Sequence, residues 1–155
     1  MTKLKFSFLI ALLSFVNIYC QQKNQEKMKQ ALIIVDVQND YFPGGRMELS
    51  GSEKAADNAK TILEYCRKSN IEVIHIQHIA DPNADFFLPE TNGVKINTKV
   101  IPLSNEKIIT KHYPNSFRET NLLAYLQEKK ITNLIVTGMM THVCIDATVK
   151  AAKDY

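Results

Sequence analysis

Three short apolar runs in this chain each lead into a chemically reactive residue. Ala31-Leu-Ile-Ile-Val35 runs into Asp36, Glu106-Lys-Ile-Ile-Thr110 into Lys111, and Asn133-Leu-Ile-Val-Thr137, through Gly138-Met-Met-Thr-His-Val, into Cys144. Runs this short and rich in β-branched residues are the pattern of strands buried on both faces, as in parallel sheets. In an open α/β sheet, ligands sit beyond the carboxyl ends of the strands. A carboxylate, an ammonium and a thiol at three such ends are therefore expected to converge, and that trio suits nucleophilic catalysis by cysteine.

Between the runs the pattern is helical. Ser52 is placed to cap a helix running to about Ser69, with Ala56, Ala59, Ile62, Leu63 and Cys66 on its inner face. A second strand spans Ile71 to Gln77. A helix from about Glu119 to Lys129 presents Leu122, Leu123 and Leu126, and a last helix begins near Thr141. Strands alternating with helices predict an α/β fold, a three-layer, Rossmann-like open parallel sheet with helices on both faces. The stretch from His78 to Ser104 carries Pro82, Pro89 and Pro102 and no regular pattern. An irregular segment that long is expected to be a lid or a pocket wall. The last helical pattern runs to Tyr155 without a stop signal, so the domain is expected to be truncated at its C-terminus.

The first twenty residues read as a secretory signal. Lys3 and Lys5 precede an apolar stretch from Phe6 to Tyr19, too short to span a bilayer comfortably, and polar Gln21-Gln-Lys-Asn follows Cys20. An uncleaved membrane anchor is the alternative. Bulky Tyr19 argues against acylation of Cys20. The expected organisation is a signal over 1–20, a polar spacer over 21–29 and one domain over 30–155, exported to the periplasm or beyond. The formal charge of +3 includes Lys3 and Lys5, and no basic stripe is present, which argues against a nucleic-acid partner.

Cys144 is the key position. If Thr141 caps the following helix, Cys144 falls in the first turn, where the dipole and free N–H groups favour thiolate and depress the thiol pKa. The same N–H groups are suited to hold an oxyanion. Asp36, closing an apolar run, needs a partner, because an unpaired buried charge costs several kcal/mol. Cys66 reads as a helix residue packing as a small hydrophobe. The four histidines, His75, His78, His112 and His142, form no close zinc-type pair. His75 reads as a core residue, whereas His78 and His142 fall at strand ends and are expected to line the pocket. No glycine-rich phosphate loop and no Gly-x-Ser-x-Gly setting appear.

Together these segments resemble the isochorismatase-like cysteine hydrolase superfamily, which includes nicotinamidases and carbamoylsarcosine amidases. The resemblance covers Gln30 to Tyr155. It rests on Ala31-Leu-Ile-Ile-Val-Asp-Val-Gln-Asn-Asp-Tyr-Phe42, Phe86-Phe-Leu-Pro-Glu-Thr-Asn-Gly93, Lys111 with Ser116-Phe117, and Val136-Thr-Gly-Met-Met-Thr-His-Val-Cys144. It implies a catalytic triad of Asp36, Lys111 and Cys144 and a cis peptide between Met139 and Met140. It also implies an oxyanion hole from the Met140 and Cys144 N–H groups, and a pocket to which Phe42 and Phe117 contribute beside the two histidines. The implied reaction is cleavage of a small-molecule amide or related C–N bond through a thioester acyl-enzyme, in a homo-oligomer. Isochorismatases proper carry an acidic residue where Cys144 stands, so vinyl-ether hydrolysis is not expected. Nicotinamidases carry an Asp-x-His metal motif after the second strand. Here that place reads Gln77-His-Ile-Ala-Asp81, so no metal and no other cofactor is expected. The alternatives are a thiol-redox protein using Cys144, with Cys66 as resolving thiol, and a non-enzymatic binder on the same fold.

Overall fold

A computed structural model describes residues 28–155. The predicted signal, and the spacer up to residue 27, lie outside the described residues. Four strands, β1 (Gln30–Val35), β2 (Glu72–His78), β3 (Lys107–Lys111) and β4 (Asn133–Gly138), form one parallel sheet in the order β3-β2-β1-β4. Helix α1 (Ser52–Lys68) connects β1 to β2, α2 (Leu122–Glu128) connects β3 to β4, and α3 (Asp146–Ala152) follows β4. No helix among the described residues is long and apolar enough to cross a membrane.

β1 shows why the sheet is three layers thick. From Ala31 to Val35 every residue is buried, and alternate side chains enter different cores. Leu32 and Ile34 pack with Ala56, Ala59, Leu63 and Cys66 of α1. Ala31, Ile33 and Val35 pack on the opposite face with Leu122 and Leu126 of α2. A strand with period 2 flanked on both faces must be apolar at every position, and that is how Ala-Leu-Ile-Ile-Val reads.

Register aligns the chemistry. Val35 pairs with Ile76 and Gly138, and His78 pairs with Lys111. Asp36 therefore emerges beside the ends of both neighbouring strands. Gly138 has φ 136°, and a Cβ there would lie 2.0 Å from the Val35 carbonyl oxygen. Only glycine lets β4 approach β1 so closely at the point where the chain turns toward Cys144.

Several local expectations need correction. The N-cap of α1 is Gly51 at φ 74°, and Ser52 is its first helical residue with no side-chain cap bond. The left-handed conformation favours glycine over serine as the cap. The second helix is shorter than expected, Leu122–Glu128, because Glu119 takes φ 54° and breaks the helical path before it. Thr141 does not cap a helix either: it opens a π-turn, Thr141–Ile145, that leads into α3.

The stretch from Ile79 to Ser104 contains neither strand nor α-helix, only a 3₁₀ turn at Thr98–Val100 and an isolated bridge between Gln38 and Ile96. It is a packed wall. The Asp40 carboxylate accepts the Phe87 N–H at 2.6 Å and the Arg46 N–H at 3.2 Å. The Gln38 amide donates to Val94 O at 2.7 Å and to His78 O at 2.8 Å, and its oxygen accepts the His78 N–H at 2.7 Å. Two polar side chains just after β1 thus fasten the wall to the sheet.

Candidate active site

Asp36 is the first residue past β1 and adopts φ 52°, a left-handed conformation that costs a non-glycine residue on the order of 1–3 kcal/mol. This bend lies where the carboxylate meets its partners. Its Oδ2 lies 2.7 Å from Lys111 Nζ, and both side chains are fully buried. The Lys111 ammonium and the Cys144 thiol both act on this carboxylate, and each favours its charged form. Lys111 is also held by the carbonyls of Tyr113 at 3.1 Å and Pro114 at 3.3 Å. Cys144, 3% exposed, completes the cluster: its Sγ, an Asp36 oxygen and a His78 ring nitrogen all lie within 4.8 Å of one another. The three residues at the ends of three apolar runs converge.

Burial decides the electrostatics. It pushes the Cys144 thiol up to about 12, the Asp36 charge adds to the rise, and Lys111 opposes it. The depressed thiol pKa expected from a helix N-terminus is therefore corrected. The π-turn takes the place of a capped first turn, and the thiol is enclosed beside a carboxylate. Burial likewise raises Asp36, against the pull of Lys111. A carboxylate with raised proton affinity next to a protonated thiol is a base facing its acid.

His78 belongs to this cluster more closely than its predicted place in the pocket suggested. Its Nδ1 is 3.2 Å from Lys111 Nζ and 3.9 Å from Asp36 Oδ2. Burial, then Lys111 and His112, lower its pKa to about 4. The ring is neutral at ordinary pH, and the Lys111 contact assigns Nδ1 as acceptor and Nε2 as the protonated nitrogen. Tyr41, which the motif analysis did not single out, is buried near the same charges. Burial, Cys144 and Asp36 all raise its pKa, so it remains a phenol. Its ring packs edge-on against Phe87 at 4.7 Å.

The other sites expected from sequence are placed as follows. Phe42 is buried in the α1-side core together with Met139. Phe117 lies in the opposite core, the one that holds Cys144, and stacks on Tyr155 at 5.2 Å. His142 is exposed and lines a shallow cavity with Leu49, Ser52, Met139 and Met140. The Met139–Met140 peptide is cis, and no described carbonyl accepts the Met140 N–H. The segment after β2 does not fit a metal motif of the nicotinamidase kind. The Gln77 amide is spent on Val94 O, and the exposed Asp81 carboxylate accepts the Asn83 N–H.

Comparison with known proteins places this geometry in context. The family model described as Isochorismatase domain matches residues 30–155. The uncharacterized isochorismatase family protein YddQ of Bacillus subtilis is 50% identical over 129 residues, which cover 83% of this chain and 72% of that protein. A crystal structure of an isochorismatase from Pseudomonas putida matches with a TM-score of 0.76 at 34% identity, covering 88% of this chain and 71% of that one. Streptothricin hydrolase of Streptomyces noursei is 29% identical over 125 residues, which are 81% of this chain and 45% of that enzyme.

Proposed function

Because the chain belongs to the isochorismatase domain family, we propose that it is a cysteine amidohydrolase that cleaves a small amide or related C–N bond through an acyl-thioester on Cys144. The observation that carries the reading is the meeting of Asp36, Lys111 and Cys144 in one buried cluster. A relative that hydrolyses streptothricin supports the reaction class.

The proposed steps follow from the arrangement. The resting thiol keeps its proton. As substrate enters, Asp36 takes that proton, and the Lys111 ammonium offsets the negative charge that moves onto sulfur. The thiolate attacks the carbonyl carbon, and the N–H groups of Met140 and Cys144 hold the oxyanion. The tetrahedral adduct collapses and expels the amine, which takes the proton from Asp36. Water, deprotonated by Asp36, then attacks the thioester; the acid leaves and Cys144 recovers its proton. His78 fixes Lys111 by accepting from it, and with Phe42, Phe117 and His142 is assigned to the substrate's surroundings. Export through the segment over 1–20 and assembly into a homo-oligomer are part of the same proposal.

A redox role for Cys144 with Cys66 as resolving thiol is disfavoured. Both thiols are free, and they belong to cores on opposite faces of the sheet. The decisive experiment is mass spectrometry of the Cys144 peptide after incubation with a panel of small amides. An added acyl mass on Cys144, absent in Cys144→Ser, supports the proposal. Turnover of an amide by Cys144→Ser at near the wild-type rate refutes it.

A further inference from the structure

We propose that Gln38 is a positioning residue for the reaction: its buried side-chain amide replaces a missing stretch of strand, grips the His78 backbone at both its N–H and its carbonyl, and so holds the imidazole against the Lys111 ammonium. The inference rests on reading Asp36, Lys111 and Cys144 as the reacting group. β1 ends at Val35, paired with Ile76 of β2, and the Asp36 N–H makes the last contact between the two strands, to Ile76 O at 3.1 Å. Asp36 then turns away at φ 52°, whereas β2 runs on to His78. On its other edge β2 keeps a partner: His78 pairs with Lys111, and the Ile79 N–H donates to Lys111 O at 3.0 Å. On the β1 edge the His78 peptide groups are left without a strand.

Gln38 fills that place. Its Nε2 donates to His78 O at 2.8 Å and its Oε1 accepts the His78 N–H at 2.7 Å. These are the donor and acceptor that a continuing β1 would offer. The second Nε2 hydrogen goes to Val94 O at 2.7 Å. Two carbonyls at one end of the amide and an N–H at the other fix it in a single orientation. The side chain is fully buried. Its own backbone is tied to Asp36 O at 2.9 Å and to Ile96 through the isolated bridge. Peptide groups withdrawn from water need partners, and here one side chain supplies both.

The ring that this backbone carries has few other restraints. The His78 side chain is 16% exposed and packs on Phe87 at 5.8 Å. Its Nδ1 accepts from Lys111 Nζ at 3.2 Å. The charged and titratable groups that face it are Lys111 and His112 at the end of β3, Asp36 beyond β1, and Cys144 on the π-turn. The Lys111 ammonium has three hydrogens to share among four acceptors: Asp36 at 2.7 Å, His78, and the carbonyls of Tyr113 and Pro114 at 3.1 and 3.3 Å. With His78 withdrawn, the balance passes toward the two carbonyls, and Lys111 gives less support to negative charge arriving on the Cys144 sulfur.

The test follows the imidazole itself. Nitrogen-15 spectra of the full chain, with His78 assigned by the loss of its signals in His78→Ala, report tautomer and titration. Wild type should show a single Nε2–H tautomer that holds from pH 5 to 8, because His78 titrates at about 4. Gln38→Met keeps the length of the side chain but offers no hydrogen bond. It should show averaged tautomers and a midpoint shifted upward by about one pH unit or more, toward the ordinary histidine value. With acetamide, propanamide and butanamide as substrates, kcat should fall about tenfold or more while KM changes little. Should Gln38→Met fail to fold, Gln38→Glu decides. A buried carboxylic acid can donate to one carbonyl at pH 5 but not once ionised, so the wild-type pattern should persist at pH 5 and be lost at pH 8. Folded Gln38→Met with the wild-type tautomer and midpoint, or with unchanged kcat, overturns the inference. Failure of all three amides to acylate wild-type Cys144 would count against the amidohydrolase reading instead, and the imidazole spectra would still decide whether Gln38 holds the ring.

Discussion

Replacing Lys111 by methionine removes one charge from a pair buried on all sides and keeps most of the side-chain volume. The loss follows from what remains. Asp36 is left as a buried carboxylate 3.9 Å from a neutral imidazole, and breaking a buried pair in this way costs about 3–5 kcal/mol. For a domain of this size, 1 kcal/mol moves the melting midpoint by roughly 3–6 °C, so Lys111→Met should melt some 10–20 °C below wild type at pH 8. The variant has an escape that fixes the pH dependence. Burial raises Asp36 above its unfolded value even in the wild type, and without the ammonium only the hydrogen bond with Cys144 opposes that rise. A carboxyl with a raised folded pKa stabilises the fold below its unfolded pKa, and that contribution is lost as pH rises through the folded pKa. The deficit of Lys111→Met should therefore be small near pH 4 and complete near pH 8. Asp36→Asn in the same chain removes the stranded charge and should recover about 2 kcal/mol or more. Circular-dichroism melts of the four chains at the two pH values supply the cycle. A Lys111→Met midpoint independent of pH, or no recovery in the double variant, would refute the reasoning.

Four further outcomes follow from the same geometry. With the thiol held up at about 12, iodoacetamide labelling of Cys144 should rise about tenfold per pH unit from pH 7 to 10 without a plateau; a plateau below pH 9 would contradict it. Asp36→Asn removes a charge that raises the thiol, so it should label faster at a given pH while turnover collapses. Glu106 is lowered to about 2 chiefly by Arg67, the Leu103 N–H and His75 acting against its burial. Stability of about 3 kcal/mol should therefore be present above pH 4.5 and lost as pH falls toward 2, a slope that Glu106→Gln should flatten in acid-unfolding curves. Gly93→Ala would place a Cβ 2.0 Å from Asp40 Oδ1. A loss of about 1–3 kcal/mol in urea unfolding is expected, with faster amide exchange at Phe87, and an unchanged unfolding midpoint would count against the clamp.

The strand ends were legible because β1 is covered on both faces, so burial forces an apolar residue at every position and makes Asp36 conspicuous when it breaks the run. The same holds for Lys111, which closes β3 in register with His78. What the pattern could not carry were effects that depend on a third dimension. The sign of the Cys144 shift hinges on enclosure and on the distance to Asp36, neither of which leaves a mark in local sequence. Thr141 and Ser52 both look like caps, but backbone conformation fixed by the neighbouring Met140 and Gly51 sends each to a different place. Nothing in the local sequence sets Gln38 and Asp40 apart as anchors, and only the returning wall shows them to be its fasteners. A period of 2 does mark Asp36, Gln38 and Asp40 as a polar series after an apolar strand, the one signal that could have found them.

These shifts bear on how such a site would work. A thiol near 12 beside a carboxylate and an ammonium rests in its neutral form, so the proposed nucleophile is not standing ready. Moving its proton to Asp36 shifts negative charge from oxygen to sulfur without changing the total charge of the buried group. Lys111 lies 2.7 Å from the donor of that charge and compensates it on either atom, so the transfer requires no new counter-ion from solvent. The barrier then depends on what strengthens sulfur's hold on the charge, and the strongest candidate is a bound carbonyl carbon. A Cys144 activated by its substrate and quiet without it would explain why the cluster is enclosed. Water is kept from a site whose ion pair is stable only while dry neighbours hold it in place.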